Sequence, residues 1–363
     1  MFKALLRPEI ENLEAYIPGL SRETVKRKYG FKEAIKLASN ENPLGPSPKA
    51  MEAMKKAVEV SHIYPDHITL DIRKKIAGRF DVKAENVIVT DGASNALRYI
   101  GECFLNQGDE VAYSEHTYSI YDSFVIKNNG VIVKSPMDSE YRYDLKALLG
   151  KITDKTKIVI ICNPNNPTGT LLKSEEIEEF IKAVPRNVII VLDEAYIDYV
   201  EDRNYVSGIK FAKEYDNVVV LRTFSKIYGL AGARIGYAIG SEEIIGLMFK
   251  VLPLYATSIA TIEGASAALD DFEFVEESFK SNIEGKKYLN EELTKLGFDT
   301  VPSETNFIYL DFHTDNYEVF EKLVKRGIII RPQYGTIGRI SIGSPYENRC
   351  IIEALKEIFN FRR

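Results

Sequence analysis

Leu221-Arg-Thr-Phe-Ser-Lys-Ile-Tyr-Gly-Leu-Ala-Gly-Ala-Arg-Ile-Gly236 is the most informative stretch of this 363-residue chain. It begins in an apolar run that is typical of a buried β-strand, and it continues into a glycine-rich loop. The polar side chains that follow the run are Thr223, Ser225, Lys226 and Arg234. Hydroxyl groups and a guanidinium can together bind one phosphate dianion, while a lysine amine is a nucleophile toward an aldehyde. The stretch therefore predicts a strand that brings a phosphate-binding group and a reactive amine to one site.

Similar apolar runs recur between stretches with helical periodicity. They lie at 87–90, 110–113, 131–133, 157–162, 187–192 and 217–222. Near-continuous apolar strands that alternate with helices predict an α/β fold, in which a mostly parallel sheet is covered by helices on both faces. Ligands bind to such sheets beyond the carboxyl ends of the strands. Polar motifs follow four of these runs, beginning at Asp91, Asn163, Asp193 and Thr223, so we expect one site at that edge.

The sequence from about residue 264 has a different pattern. It is helical and heavily charged at first, and then three short strands are predicted at 305–310, 327–331 and 339–342. This pattern is typical of a smaller α+β domain. We therefore predict three parts: an N-terminal arm with the start of the small domain at 1–36, a large domain at 37–255, and a C-terminal small domain at 256–363.

Composition and charge exclude several classes of protein. Lys and Arg number 47 against 53 Asp and Glu, so the formal charge of −6 predicts no attraction to nucleic acid or to an anionic membrane. Three widely spaced cysteines argue against a disulfide framework and against a cysteine metal site, and we expect no metal. No apolar stretch approaches the ~20 residues of a membrane span, and the N-terminus lacks the apolar core of a signal sequence. A cytoplasmic protein is expected.

The segment Asp193-Glu-Ala-Tyr196 places a carboxylate at the end of an apolar strand. Burial of a carboxylate is costly unless a positive group meets it, and a pyridinium N–H would be such a partner. The carboxylate of Asp193 would then keep the ring nitrogen protonated, so that the ring withdraws electrons. Capping of a helix N-terminus is the simpler alternative for this residue. Tyr196 is predicted to donate a hydrogen bond to a phenolic oxygen on the same ring, although alone it would be an ordinary core tyrosine.

Other segments offer the remaining contacts of such a ring. The turn at 163–169 contains two prolines and would hold the Asn166 amide over the ring oxygen. A Gly-Ala-Ser turn precedes a predicted helix, whose N-terminus would direct the N–H groups of Ala93 and Ser94 at a phosphate. Tyr118 is expected either to stack on the ring or to pack in the core. An amine at Lys226, a buried carboxylate, a donor to the ring oxygen and a phosphate site together indicate an enzyme that uses pyridoxal 5'-phosphate.

Two arginines and one loop are the candidates for substrate binding. Arg331 and Arg339 lie at the ends of predicted small-domain strands. A guanidinium binds a carboxylate through two hydrogen bonds, and two guanidiniums suit a substrate with a second anionic group. Surface salt bridges are the alternative for both. The loop at 38–48 is too rich in Pro, Gly and Asn for a helix or a central strand. It would suit the mouth of a site, where Asn42 is expected to contact the substrate.

The motifs resemble those of the fold-type I pyridoxal-phosphate aminotransferases over nearly the whole chain. Within that family they look most like those of histidinol-phosphate aminotransferases. The segments that carry the resemblance are 39–47, 64–66, 118–121, 163–170, 193–196 and 221–237. The resemblance implies amino transfer between L-histidinol phosphate and 2-oxoglutarate in histidine biosynthesis, with Lys226 bonded to the cofactor.

The resemblance also implies a homodimer with sites at the subunit interface. Tyr64 would reach the phosphate of the cofactor in the neighbouring subunit. Tyr16, in the N-terminal arm, and Arg331 would lie near the distal phosphate of the substrate. Arg339 would match the arginine that binds a carboxylate, which the glutamate and 2-oxoglutarate half-reaction supplies.

Other functions stay open at this point. An aromatic amino-acid aminotransferase or an O-phosphothreonine decarboxylase would use the same scaffold, because the bond that breaks depends on where the arginines hold the anionic groups. A ligand sensor that binds the cofactor without catalysis is a remote alternative. A nicotinamide dehydrogenase is disfavoured, because the glycines at 229–236 do not fit the Gly-x-Gly-x-x-Gly spacing of a pyrophosphate turn.

Overall fold

The computed structural model describes residues 2–11, 13 and 19–360. Its α-helices are α1 (Pro8–Glu11), α2 (Arg22–Tyr29), α3 (Pro48–Val58), α4 (Leu70–Phe80), α5 (Ala93–Phe104), α6 (Ile120–Lys127), α7 (Leu145–Leu149), α8 (Ser174–Ala183), α9 (Ile209–Glu214), α10 (Glu242–Met248), α11 (Ile259–Ala268), α12 (Phe272–Lys295), α13 (Asn316–Val324) and α14 (Pro345–Ile358). Its β-strands are β1 (Ile35–Lys36), β2 (Val87–Thr90), β3 (Glu110–Ser114), β4 (Val131–Ser135), β5 (Thr156–Cys162), β6 (Ile189–Asp193), β7 (Val218–Thr223), β8 (Gly236–Ile239), β9 (Asp299–Thr300), β10 (Phe307–Asp311), β11 (Ile328–Ile329), β12 (Arg331–Pro332) and β13 (Ile337–Ser341).

A seven-stranded sheet with the order β2-β8-β7-β6-β5-β3-β4 forms the centre of the large unit. Neighbouring strands from β7 to β4 are parallel, whereas β8 is antiparallel to both of its neighbours. The six predicted strands therefore all run in one direction. Residues of β5, β6 and β7 are almost all buried, as expected for strands covered by helices on both faces. The prediction of an α/β fold with a mostly parallel sheet is confirmed.

The smaller unit contains an antiparallel sheet with the order β12-β13-β10-β9. The predicted strand at 327–331 is in fact two strands, because Arg331 pairs with Arg339 of β13 while Ile328 pairs with Ile35 of β1. The pairing of β1 with β11 joins the chain before residue 37 to this unit. The start of the small domain at 1–36 stays a prediction.

Helices α11 and α12 connect the two units. Helix α11 packs against α3, and Ala265 belongs to the core of the large unit. Helix α12 contributes Phe279 to that core and Leu289 to the core of the small unit. Packing thus places the transition within α12, and the domain boundary at 255/256 stays a prediction. Among the described residues, no helix is long and apolar enough to cross a bilayer.

A buried ion pair fixes the carboxyl ends of β6 and β7 relative to each other. The Arg222 Nε atom donates to Glu194 Oε2 at 2.8 Å, and the backbone N–H of Gly208 donates to Glu194 Oε1 at 2.6 Å. Both charged side chains are buried. Loss of one partner of such a pair costs about 3–5 kcal/mol, because the other charge is left in the interior. The two strand ends that carry the predicted site residues are therefore firmly connected.

Candidate active site

A cavity of about 870 Å³ lies at the carboxyl edge of the large sheet, where the small unit covers it. Most of the predicted site residues line it: Ala93, Ser94, Tyr118, Asn166, Asp193, Tyr196, Thr223, Ser225, Lys226, Arg234, Arg331 and Arg339. Segments that are far apart in sequence meet there because parallel strands end at the same edge. A volume of this size suits a small-molecule cofactor together with a substrate.

Lys226 follows β7 and directs its amine into the cavity. Its Nζ atom donates to the carbonyl oxygens of Ser39 and Asn40 at 3.2 and 3.3 Å. Part of the side chain faces the open cavity, but protein surrounds it on the other sides. Burial, and secondly the positive charge of Arg339, lower the pKa of Lys226 to about 7. An amine with that pKa is partly neutral at neutral pH, so it can act as a nucleophile or as a base.

Asp193 ends β6 and is only 6% exposed. Its Oδ2 atom accepts a hydrogen bond from the Tyr121 hydroxyl at 2.7 Å, and its Oδ1 atom accepts one from the Ala195 N–H at 3.2 Å. Burial raises the pKa of Asp193, whereas these two hydrogen bonds lower it. A carboxylate can accept about four hydrogen bonds, so capacity is left for a donor in the cavity. This arrangement suits a cationic N–H at the floor of the site.

Tyr196 lies beside Lys226, with its hydroxyl oxygen accepting a hydrogen bond from Asn40 Nδ2 at 2.9 Å. The amide nitrogen can only donate, so the proton of the Tyr196 hydroxyl is left for another acceptor. Its ring packs edge-on against Phe307 at 5.2 Å, which fixes its orientation. Burial raises the pKa of Tyr196, which keeps the phenol protonated. The tyrosine is therefore a hydrogen-bond donor toward the cavity.

Asn166 and Arg339 meet across the two units. The Arg339 Nη1 atom donates to Asn166 Oδ1 at 2.5 Å, and Nη2 donates to the Ala38 carbonyl oxygen at 2.7 Å. A guanidinium carries only donors, so the atom of Asn166 that faces it must be the amide oxygen. The Nδ2 donor of Asn166 consequently points elsewhere, on a side chain that lines the cavity. This geometry suits a hydrogen bond to a ring oxygen.

The predicted phosphate group is assembled from two loops. The first turn of α5 approaches β8 so closely that a Cβ atom added to Gly236 would lie 2.5 Å from the Ala93 nitrogen. On the other side, Arg234 Nη1 lies 3.5 Å from Ser225 Oγ, and Thr223 Oγ1 accepts a hydrogen bond from the Ser225 N–H. A helix N-terminus, hydroxyl groups and a guanidinium thus surround one corner of the cavity. This is the donor set that a phosphate dianion requires.

Tyr118 and Arg331 line other parts of the wall. The ring of Tyr118 contacts that of Tyr121 edge-on at 5.7 Å, so it belongs both to the cavity wall and to the aromatic core behind it. Arg331 is half-buried in β12, close to Gly19 at the start of the main described segment. A second basic group therefore stands on the side of the small unit.

Two of the predicted residues that the structure describes, Tyr64 and Asn42, are not among the residues that line the cavity. Tyr64 is 76% exposed and stacks on Tyr255, with ring centres 4.4 Å apart. Asn42 uses its amide within the chain, because Nδ2 donates to the Ile227 carbonyl and to Ser278 Oγ. The structure thus does not bring Asn42 to the cavity. Tyr16 lies outside the described residues.

Asn40 and Tyr121 are functional candidates that the sequence reasoning did not select. Asn40 donates to Tyr196, and Tyr121 donates to Asp193. Both lie inside motifs that were noted, but the motifs alone do not show which side chains face the site. Helical spacing does not identify Tyr121, because it lies in the first turn of α6 whereas Tyr118 precedes that helix.

The residues present fit pyridoxal 5'-phosphate. The cavity combines a largely enclosed amine, a buried carboxylate with unused acceptor capacity, two donors for a ring oxygen and a phosphate-binding corner. Lys226, Asp193, Tyr196 and Asn166 would hold the ring and its aldehyde, and the corner beside Ser94 and Arg234 would hold the phosphate. Each part of the cofactor thus has a chemically matched group.

Comparison with known proteins is consistent with this geometry. The sequence profile of aminotransferase class I and II matches residues 32–355. A histidinol-phosphate aminotransferase from Moorella thermoacetica is 40% identical over 357 residues, which cover 97% of this chain and 92% of that protein. Histidinol-phosphate aminotransferase 2 from Carboxydothermus hydrogenoformans is 38% identical, with coverage of 98% and 99%. The crystal structure of histidinol-phosphate aminotransferase from Sinorhizobium meliloti in complex with pyridoxal-5'-phosphate superposes with a TM-score of 0.91 at 28% identity, over 98% of this chain and 97% of that one.

Proposed function

The chain belongs to the aminotransferase class I and II family, and from that premise we propose that it transfers the amino group of L-histidinol phosphate to 2-oxoglutarate. The cofactor would be pyridoxal 5'-phosphate, bound in the cavity at the sheet edge. The observation that carries the proposal is the meeting of Lys226, Asp193 and two arginines in this one cavity. The names of the full-length relatives support the choice of substrate.

The chemistry divides between the cofactor and the protein. When bound, pyridoxal phosphate supplies an aldehyde that condenses with amines and a ring that withdraws electrons from the carbon beside the amine. Asp193 would hold a proton at the ring nitrogen, and Tyr196 would donate a hydrogen bond to the ring oxygen. Lys226 would hold the aldehyde carbon of the cofactor, and its amine would take up and give back the proton of the substrate Cα atom. Its pKa of about 7 lets it both accept and release that proton near neutral pH.

The charge of the cavity supports anionic substrates. Arg331 and Arg339 line the side that the small unit contributes. Arg339 is held by Asn166 and by the Ala38 carbonyl, so its guanidinium is fixed before a substrate binds. L-Histidinol phosphate presents a phosphate and 2-oxoglutarate presents two carboxylates, and both kinds of group pair well with guanidinium. One basic wall can therefore serve both half-reactions.

A second copy of the chain is the proposed partner. An open apolar groove of about 390 Å³, lined in part by Met51, Val58 and Leu230, lies beside the loop that carries Lys226. Tyr64 and Leu254 are exposed large apolar side chains of the same unit. Apolar surface of this kind marks interaction sites in soluble proteins. In the proposed homodimer, Tyr64 reaches the phosphate corner of the cavity in the neighbouring subunit. This role does not require Tyr64 to line the cavity of its own subunit.

The proposal is tested by measuring glutamate formed from 2-oxoglutarate with a panel of amino donors. L-Histidinol phosphate is expected to give a kcat/KM at least roughly tenfold above those of tyrosine and phenylalanine. Lys226→Ala should abolish turnover, whereas the matched control Lys182→Ala, which changes an exposed lysine on α8, should not. A preference for an aromatic amino acid would contradict the substrate assignment. Carbon dioxide release from O-phosphothreonine would instead identify a decarboxylase.

A further inference from the structure

Asp193 is surrounded by several titratable groups. They are Tyr121 on α6, Cys162 on β5, Tyr143 before α7, the neighbouring Glu194, and Lys226 after β7. The hydrogen bond from Tyr121 to Asp193 Oδ2, at 2.7 Å, is shorter than the one from the Ala195 N–H to Oδ1, at 3.2 Å. Burial opposes ionisation of Asp193, and Glu194 adds a further negative charge nearby. The phenol of Tyr121, together with the Ala195 N–H and the charge of Lys226, lowers the pKa of Asp193 against these two effects.

Packing fixes the orientation of the Tyr121 side chain. It is completely buried, and its ring is held edge-on between Tyr113 and Tyr118, each at 5.7 Å. Burial and the adjacent carboxylate raise its pKa well above the ordinary value, so the hydroxyl keeps its proton. A phenol in this position has one proton to donate, and the geometry directs it to Asp193.

We propose that Tyr121 is a positioning residue that keeps Asp193 ionised and aimed at the cofactor ring nitrogen. A donor to one carboxylate oxygen draws electron density from it and makes the group a weaker base. Without that donor, the proton shared between Asp193 and the ring nitrogen moves toward the carboxylate. The ring then loses its positive charge and withdraws electrons less well. This inference rests on the proposed function, because it requires pyridoxal phosphate in the cavity.

Tyr113 provides a matched control. It is also buried, and its hydroxyl also donates to a carboxylate, that of Asp122 at 2.5 Å. Asp122, however, is paired with Lys134 at the surface and does not line the cavity. Tyr121→Phe and Tyr113→Phe therefore remove the same atom from neighbouring rings, and only the first removes a hydrogen bond from Asp193. A merely structural effect of losing a buried phenol should appear in both variants.

The test is the ¹⁵N chemical shift of ring-labelled pyridoxal phosphate bound to the full-length protein, measured across neutral pH. The wild type and Tyr113→Phe should show a protonated ring nitrogen, and Tyr121→Phe should shift the signal toward the unprotonated form. The rate of the first half-reaction should fall by roughly 10- to 100-fold in Tyr121→Phe, as expected for a lost hydrogen bond to a charged group. A protonated signal in Tyr121→Phe would overturn the inference, even if activity fell.

Two further outcomes are distinguishable. If the wild type forms no lysine-bound cofactor, the proposed function fails and this inference falls with it. If Tyr121→Phe does not fold, fluorinated tyrosine at position 121 keeps the shape of the ring and makes the phenol a stronger donor. At neutral pH the ¹⁵N signal should then stay at the position of a protonated ring nitrogen, as in the wild type. A shift toward the unprotonated form would overturn the role of Tyr121.

Discussion

Lys226 shows how a single position combines conflicting requirements. The amine must be enclosed to meet a cofactor and a substrate, and enclosure disfavours its charge. Arg339, which is placed to bind an anion, disfavours that charge further, while Glu41 on the opposite loop favours it. The pKa of about 7 is the balance of these effects. The arginine that is proposed to bind substrate thus also lowers the pKa of the lysine.

We predict that capture of pyridoxal phosphate by the cofactor-free protein follows this pKa. Because the pKa of Lys226 is lowered, the neutral amine predominates above about pH 7 and not only above pH 10. The capture rate should rise about tenfold per pH unit below that point and level off above it. Stopped-flow absorbance of the lysine-bound cofactor measures this rate, with Lys226→Ala as the blank. A rate that keeps rising to about pH 10 would mean an ordinary lysine.

Residues at strand ends could be placed from the sequence, whereas their neighbours could not. Asp193 and Thr223 follow from strand direction alone, because both end strands of one parallel sheet. Tyr121 and Asn40 contact residues 72 and 156 positions away, and those pairs depend on packing between elements. The same holds for the two asparagines of the loop at 38–48. The sequence does not show that Asn40 donates to Tyr196 while Asn42 donates to the Ile227 carbonyl.

At the scale of elements, the contact of α5 with β8 forms the phosphate corner. Strand β8 was not predicted, because four residues after a glycine-rich loop carry little pattern, and its antiparallel direction differs from that of the predicted strands. Strand β8 nevertheless packs directly against the first turn of α5, and Gly236 allows this close approach because it has no side chain. The sequence at 327–331 also predicts one strand and not two. The division into β11 and β12 depends on their partners, because β11 pairs with β1 and β12 pairs with β13.

Gly236→Ala should therefore weaken cofactor binding through the phosphate. The added methyl group would lie 2.5 Å from the Ala93 nitrogen and 2.8 Å from the Arg222 carbonyl oxygen, and both are backbone atoms. We expect roughly tenfold weaker binding of pyridoxal phosphate, with a smaller effect on pyridoxal, which lacks the phosphate. Fluorescence titration measures both. Gly246→Ala, where nothing lies within 4 Å, is the control. Equal losses for both ligands would contradict a phosphate-specific effect.

At the scale of the whole molecule, the proposed dimer makes each site depend on two chains. We predict that mixing Lys226→Ala subunits with Tyr64→Ala subunits restores activity. A mixed dimer contains one site with an intact lysine and the intact Tyr64 of its partner, so a 1:1 mixture should regain roughly a quarter of wild-type activity. Co-expression with two affinity tags isolates the mixed dimer, which has one intact site of two and should show roughly half of wild-type activity. No recovery would place Tyr64 in its own site or outside catalysis.

The central claim is that this cavity accepts the amino group of L-histidinol phosphate. It is tested most directly by the absorption spectrum of the pyridoxal-phosphate-loaded protein before and after addition of L-histidinol phosphate, with no oxo acid present. We predict that the band of the lysine-bound cofactor is replaced by that of pyridoxamine phosphate, and that 2-oxoglutarate then restores it. An unchanged band with L-histidinol phosphate, in a protein whose cofactor band responds to tyrosine or phenylalanine, would contradict the account.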